Sequence, residues 1–284
     1  MPCRPLYCPT GRVNHVKSPR YLATLCIVAA LPLTACSPVD IFGPHANNTI
    51  MELAKQASAD QLGGETEWNK LRATHADQLQ EEARRLCGIN DRGEVPTSCN
   101  VTYGDTDLPA SGNAQELVAQ TAQVATKVPA DSRDLVIAQA IDAASTAELP
   151  IDGFKSPIEG LEPLNAAKEL LSAEYAVEFG LDIASAYADT QLHSRINDLR
   201  LLHDARVATL HHAFPTGDLP AREAGYEIPE GAPTNPSEAA AFVDALENNL
   251  VEHWRVAAAN ADSPEWRELA ILLAGHAQSA ANQN

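Results

Sequence analysis

The composition of this chain predicts an all-α protein. Aromatic residues make up only 5% of the 284 residues, and runs of β-branched residues, which favour strands, are nearly absent. Apolar residues recur at helical spacing over long stretches rich in Ala, Leu, Glu and Gln, which is the pattern of amphipathic helices. Segments rich in Pro and Gly separate these stretches. The sequence therefore predicts a helical N-terminal region followed by a C-terminal four-helix bundle.

The first 35 residues have the features of a secretory signal peptide. They carry four basic residues and no acid, and their apolar run at 21–33 is too short to span a bilayer, since a spanning helix needs about 20 apolar residues. Residues 33–36, Leu-Thr-Ala-Cys, resemble the lipobox of bacterial lipoproteins. The resemblance implies that the signal peptide is cleaved and that Cys36 becomes the lipidated first residue. An ordinary signal peptide followed by a chance cysteine is the alternative.

The net charge excludes two kinds of partner. The whole chain carries −18, and because residues 1–35 hold four basic groups and no acid, the remainder carries −22. Surfaces that bind nucleic acid are basic, and adsorption to anionic lipid also needs clusters of Lys and Arg. We therefore expect no nucleic-acid partner. Membrane contact is expected through the lipid on Cys36, at the extracytoplasmic face of the cell membrane.

Two cysteines remain outside the signal peptide and the lipobox, Cys87 and Cys99. An even number of thiols outside the cytoplasm favours a disulfide, and the residues between these two are rich in turn formers. A bridge across a loop of this size adds about 2–3 kcal/mol of stability. The alternative, a redox or metal-binding pair, is disfavoured because the spacing is not Cys-x-x-Cys and no His lies close by in sequence.

The N-terminal half is predicted to be a tether followed by helices. Residues 36–48 indicate a short polar tether, and residues 49–150 indicate a helical region. Its helices are predicted at 49–87, 113–128 and 131–146. The first of them becomes two helices if Gly63 and Gly64 end it. A segment rich in Pro and Gly, 148–163, then marks a boundary.

Residues 160–284 show the clearest helical pattern. Four helices are predicted there, at 164–188, 190–214, 235–259 and 263–281. Asn235-Pro236 and Ser263-Pro264 are strong start signals for the last two, because each places a capping side chain before a proline at the first helical position. The middle two helices are joined by a long connection, 215–234. Two helical hairpins joined by one long crossover is the connectivity of ferritin-like bundles. Spacing alone leaves open another packing of the hairpins.

Several motifs in these helices carry a resemblance to a known family. They are Glu-Tyr-Ala-Val at 174–177, His-Asp-Ala-Arg at 203–206, Ala-Gly-Tyr-Glu-Ile-Pro at 224–229, and Leu-Glu at 246–247 with Trp-Arg at 254–255. With them, residues 164–282 resemble the ferritin-like domain of unknown function found in Gram-positive bacterial lipoproteins. The resemblance implies a four-helix fold and carries no established activity.

Each of the four helices places one candidate metal ligand on its inner apolar stripe. These residues are Glu174, His203, Glu247 and His276. A ferritin-like di-iron site needs Glu on two helices and Glu-x-x-His on the other two. Arg200 and Leu273 occupy the positions where the bridging carboxylates would stand, so the set suffices at most for a single iron or zinc ion. The alternative is structural, with each His neutral and each Glu paired with a nearby arginine, Arg200 or Arg206.

The sequence contains no motif of a familiar catalytic machinery. Gly-x-Ser-x-Gly, His-Glu-x-x-His, Ser-x-x-Lys and a glycine-rich phosphate loop are all missing from it, so we predict no catalytic residue and expect no cofactor. The favoured function is a lipid-anchored helical module that binds an envelope protein or a ligand, or acts as a scaffold. A ferritin-like metalloprotein for redox or storage is the alternative.

Metabolic labelling of the producing bacterium with a fatty-acid analogue tests lipidation. We expect the label to mark the protein and Cys36→Ala to lose it, because the lipobox resemblance assigns diacylglyceryl transfer to that thiol. Cys36→Ala should also accumulate as uncleaved precursor, whereas Cys26→Ala should remain labelled. Unchanged labelling of Cys36→Ala contradicts the lipoprotein hypothesis.

Overall fold

The computed structural model describes residues 43–62, 66–103, 110, 113–152, 157–227 and 231–283. All of them belong to one compact unit, residues 38–284. Within these ranges the regular structure is entirely helical, which confirms the predicted all-α class and the helical bundle. Cys36 and the region of the signal peptide lie outside the described residues.

Eight α-helices cover most of the described chain. They are α1 Asn48–Asp60, α2 Thr66–Cys87, α3 Ala114–Val124, α4 Ala130–Thr146, α5 Leu161–Ser185, α6 Thr190–Ala213, α7 Pro236–Asn260 and α8 Pro264–Ala281. A 3₁₀ turn, Ala125–Lys127, follows α3. None of the helices in the described ranges is both long and apolar enough to cross a bilayer.

Side-chain caps set the starts of the last two helices, as predicted. Asn235 Oδ1 accepts from the backbone N–H of Glu238 at 3.0 Å, and Ser263 Oγ accepts from the backbone N–H of Trp266 at 3.2 Å. Each cap is followed by a proline at the first helical position, where a missing N–H costs nothing. These starts depend on local sequence alone.

The N-terminal region begins with a helical hairpin. Helices α1 and α2 pack on each other, and Arg72 Nε of α2 donates to Asp60 Oδ2 of α1 at 2.9 Å in a buried ion pair. The expectation of one long helix over 49–87 is therefore wrong, because two shorter helices bury their apolar faces against each other. The predicted break at Gly63-Gly64 falls outside the described residues.

A disulfide closes the loop after this hairpin. Cys87, the last residue of α2, is bonded to Cys99, with 6.2 Å between their Cα atoms, as predicted. The same loop holds the segment before α1, because Ser98 Oγ donates to the carbonyl of Pro44 at 2.8 Å and His45 Nδ1 lies 3.2 Å from the carbonyl of Ser98.

Contacts between α5, α6, α7 and α8 define the directions of the bundle. The N–H of Ile158 donates to the carbonyl of Ala213 at 2.8 Å, so the end of α6 lies beside the start of α5. Phe214, just after α6, packs edge-on against Trp266 in the first turn of α8, with 5.8 Å between ring centroids. Leu246 of α7 lies against Gly180, late in α5. Helices α5 and α8 thus run in one direction, and α6 and α7 run in the other.

The connection from α6 to α7 runs along α5. Gly217 lies beside Leu164 in the first turn of α5, whereas Tyr226 packs against Phe179 in a tilted arrangement with 5.8 Å between ring centroids. From Leu164 to Phe179 the helix rises about 22 Å, so the connection crosses most of the length of the bundle. The chain therefore has the two hairpins and the single long crossover that were predicted for a ferritin-like connectivity.

Helix α8 is buried on nearly all sides because α3 and α4 cover the face that the bundle leaves open. Gly275 faces α4 so closely that a Cβ atom there would lie 2.6 Å from Ala144 Cβ and 3.0 Å from the backbone nitrogen of Ser145. Arg267 Nη1 of α8 donates to the carbonyl of Ala122 in α3 at 2.6 Å. The N-terminal helices thus complete the core around α8.

Replacing two helical glycines by alanine tests this packing. We expect Gly275→Ala to lower the free energy of unfolding by about 1–3 kcal/mol, because the new methyl group meets the backbone of α4, which cannot move independently. Gly180→Ala is the matched control, since its Cβ would meet only the flexible end of Leu246 and alanine favours the helix. Urea unfolding measures both, and equal effects contradict the packing of α4 on α8.

Candidate functional site

The four predicted ligands belong to one connected ionic cluster in the bundle, together with two further residues. Its members are Glu174 of α5, His203 and Arg206 of α6, Glu247 and Trp254 of α7, and His276 of α8. All except His276, which is partly buried, are at most 1% exposed. Every helix of the bundle contributes at least one member.

Glu174 is the acceptor at the centre of the ionic cluster. Its Oε1 accepts from Arg206 Nε at 2.6 Å and from Trp254 Nε1 at 2.8 Å. Its Oε2 accepts from Arg206 Nη2 at 3.2 Å and from His203 Nδ1 at 2.5 Å. Burial acts to raise the pKa of this carboxyl, but the charge of Arg206 and the hydrogen bond from His203 outweigh burial and hold the pKa well below its usual range. Glu174 is therefore a carboxylate.

His203 bridges the two carboxylates of the ionic cluster. Nδ1 faces Glu174, and Nε2 lies 2.9 Å from Glu247 Oε1. Burial acts to lower the pKa of His203, but the hydrogen bonds to Glu174 and Glu247 raise it above its ordinary value. Both ring nitrogens then carry hydrogen, so the ring is an imidazolium. Arg206 Nη2, which is 2.8 Å from Nδ1, faces another donor there and makes no hydrogen bond with it.

Arg206 also connects His276 to the ionic cluster. Its Nη1 lies 3.2 Å from His276 Nδ1, and since a guanidinium only donates, Nδ1 is the acceptor and the ring is neutral. Burial and the positive charge of Arg206 lower the pKa of His276 to about 4. His276 therefore joins the cluster through its hydrogen bond with the arginine.

The ionic cluster is balanced in charge. The carboxylates of Glu174 and Glu247 oppose the guanidinium of Arg206 and the imidazolium of His203. Buried charges are tolerated only when they are paired and hydrogen-bonded in this way. Among the described residues, one oxygen of the cluster, Glu247 Oε2, is buried with no hydrogen-bond partner. The cluster stabilises its own charges, and its charged side chains are all buried.

Sequence reasoning selected four members, offered Arg206 as one of two possible partners for a glutamate, and missed the role of Trp254. Trp254 is seven residues from Glu247, and Arg206 is three residues from His203, so helical periodicity places each pair on one face. That periodicity is the signal in the sequence from which both residues could have been assigned to the cluster. Arg200, the other arginine near His203, instead binds Asp182 near the surface at 2.6 Å.

The residues of the ionic cluster do not fit a ferritin-like metal centre. The guanidinium of Arg206 contacts both Glu174 and His276, which are two of the four predicted ligands, and so places a fixed positive charge among them. Across the described ranges, no three His, Cys, Asp or Glu side chains are arranged to hold a metal ion. The predicted single-ion site remains a prediction that this geometry disfavours.

Fold and site together define a helical-bundle protein with a closed ionic cluster in its core. Residues 166–283, which contain the whole cluster, match the family model of a domain of unknown function, DUF4439. Neither a curated protein nor a solved structure matches the chain.

His276→Gln tests the electrostatics of the ionic cluster. The pKa of His276 is about 4 in the folded chain and about 6.5 in an unfolded one, so the unfolded state binds the proton first as the pH falls. The contribution of neutral His276 to the stability of the folded chain is present above pH 6.5 and is lost between pH 6.5 and 4. Gln still accepts from Arg206 but does not titrate. We expect His276→Gln to lose less stability than the wild type over this window.

Urea unfolding at pH 7 and pH 4.5 provides the measurement. His212→Gln, the same substitution at an exposed position of α6, is the control and should follow the wild type. If His276→Gln also follows the wild type over the whole window, the neutral, buried state of His276 is refuted.

Proposed function

We propose that this chain is a lipid-anchored, extracytoplasmic helical bundle that acts as a non-catalytic binding or scaffold module of the cell envelope. The observation that carries the non-catalytic part is the position of Arg206. Its guanidinium lies between Glu174 and His276, where a metal ion would have to bind them. The interior of the bundle is therefore structural.

The charge balance of the ionic cluster supports the non-catalytic part of this proposal. Two irons bring at least four positive charges, whereas Glu174 and Glu247 supply two negative ones, and these are already balanced by Arg206 and His203. Bringing a cation into the cluster would place it next to a buried guanidinium, and repulsion of this kind is weakly screened in a protein interior. Since Glu174, His203 and Arg206 are fully buried, a substrate would also have no direct access to them.

The cysteine and the acidic surface support the anchoring part. Cys36 follows a basic start and an apolar run, and α1 begins at Asn48. The intervening segment spans at most about 40 Å even when fully extended, so a lipid on Cys36 would keep the bundle close to the bilayer. The net charge of −22 after residue 35 disfavours adsorption of the protein surface itself to anionic lipid.

A second candidate function is that of a mononuclear metalloprotein. The observation in its favour is Glu247 Oε2, which is buried and lacks a hydrogen-bond partner within the described part of the chain. A single ion there would still lie near the imidazolium of His203, whose Nε2 is occupied by Oε1 of the same carboxylate.

Metal analysis of the purified full chain separates the two candidates. After anaerobic incubation with iron(II) or zinc and removal of free ion, we expect near-zero metal per chain, because the ionic cluster has no net negative charge to attract it. One tightly held ion that is lost in both Glu174→Ala and His203→Ala would instead support the metalloprotein. About two irons with an oxo-bridged absorption band after exposure to oxygen would overturn the proposal outright.

Arg206→Glu is the informative variant. It replaces the guanidinium by a third carboxylate, so it should take up metal where the wild type does not. Arg200→Glu is the matched control, because Arg200 binds Asp182 near the surface and its replacement should leave the metal content at the wild-type level. Metal content that is the same in Arg206→Glu and the wild type would show that the guanidinium is not what excludes the ion.

A further inference from the structure

A groove runs along the outer face of the bundle beside the first half of α5, bordered in one part by the last third of α7 and in the other mainly by the connection from α6 to α7. It consists of two adjoining depressions of about 780 and 810 Å³. Glu169 of α5 and His253 of α7 line both of them, so the two depressions form one continuous surface, here named the α5–α7 groove. From Leu161 to Ala173, the stretch of α5 that lines it, the helix rises about 18 Å.

Apolar side chains form the floor of the α5–α7 groove. Leu161 and Val256 line it, and they are 74% and 50% exposed. Leu170, which is buried in the core, and Ala257 line it as well. Large apolar side chains that share one concave surface gain free energy when a partner covers them, at about 25 cal/mol for each Å² removed from water.

Acidic side chains border this apolar floor. Glu162 and Glu252 line one depression, Asp218 lines the other and Glu169 lines both, whereas Lys168 is the only Lys or Arg among the described lining residues. Burial and a hydrogen bond with Asp262, which is not one of the described lining residues, raise the pKa of Glu162 to about 6 although the charge of Arg267 acts to lower it, so two carboxyl groups lie close together near this edge. An incoming ammonium or guanidinium group would relieve their repulsion.

We propose that the α5–α7 groove docks a basic amphipathic helix of a partner protein in the cell envelope. This inference rests on the proposed function and names the chemistry of the partner. The length of the groove matches three turns of helix, which present a row of apolar residues at i, i+3, i+4 and i+7 to the floor. Basic residues on both sides of that row would face the acidic border.

The test uses a synthetic 14-residue peptide of Leu and Lys patterned as an amphipathic helix and labelled with a fluorophore. The full chain is held in nanodiscs of zwitterionic lipid, and empty nanodiscs give the blank. Anisotropy should show saturable binding that weakens as salt is raised, because charge pairs contribute to it. A peptide with Glu in place of every Lys should not bind.

Paired variants separate the groove from the overall charge. Glu169→Gln with Glu252→Gln should weaken binding about tenfold. The control is Glu52→Gln with Glu116→Gln, which makes the same change of charge at exposed positions of α1 and α3 and should leave the affinity within about twofold. Val256→Ser should also weaken binding, whereas Leu201→Ser, at another exposed apolar residue, should not.

Two results would overturn the inference. One is no saturable binding of the basic peptide to the wild type above the blank. The other is equal loss of affinity in the groove variants and their controls, which would show attraction to net charge alone. Either result leaves the metal analysis and the labelling of Cys36 unaffected, so failure of the groove is distinguishable from failure of the proposed function.

Discussion

The pairing of Glu174 with Arg206 is the interaction on which the bundle depends. Arg206 reaches both oxygens of Glu174 at 2.6 and 3.2 Å, and neither side chain is exposed to solvent. Removing one partner of such a pair leaves an uncompensated buried charge, which costs about 3–5 kcal/mol. Three more side chains connect this pair to the rest of the cluster. Trp254 of α7 donates to Glu174, His203 links Glu174 to Glu247, and His276 of α8 accepts from Arg206.

A buried hydrogen-bonded network restricts the relative positions of the helices more than an apolar core does. Apolar side chains tolerate small shifts of one helix along another, whereas a carboxylate that accepts four hydrogen bonds permits one arrangement of its donors. The ionic cluster links all four helices, and its contacts on α7, at Glu247 and Trp254, are two turns apart, so it opposes sliding of any helix along its axis. We interpret it as a device that fixes the register of the bundle, a role best attested for buried polar groups in coiled coils.

One side of the bundle is covered by other helices, and another side is open to solvent. On one side, α3 and α4 cover α8, and Gly275 permits an approach so close that no other residue fits without displacing the backbone. On the other side, α5 and α7 leave an apolar groove with an acidic border open to solvent. The covered side contributes to the stability of the core, and the open side is the surface that the proposed binding function would use.

The all-α class, the helix starts at Asn235 and Ser263, and the long crossover were determined by the sequence itself, because caps, prolines and apolar periodicity act over a few residues. The hairpin of α1 and α2 was not, since one long helix and two packed helices show the same periodicity. The ionic cluster shows most clearly what the periodicity of the sequence does not determine. Arg200 and Arg206 each lie three residues from His203, so periodicity places both equally near it. Only the tertiary structure decides between them, because α5 presents Glu174 to Arg206 in the core and Asp182 to Arg200 near the surface.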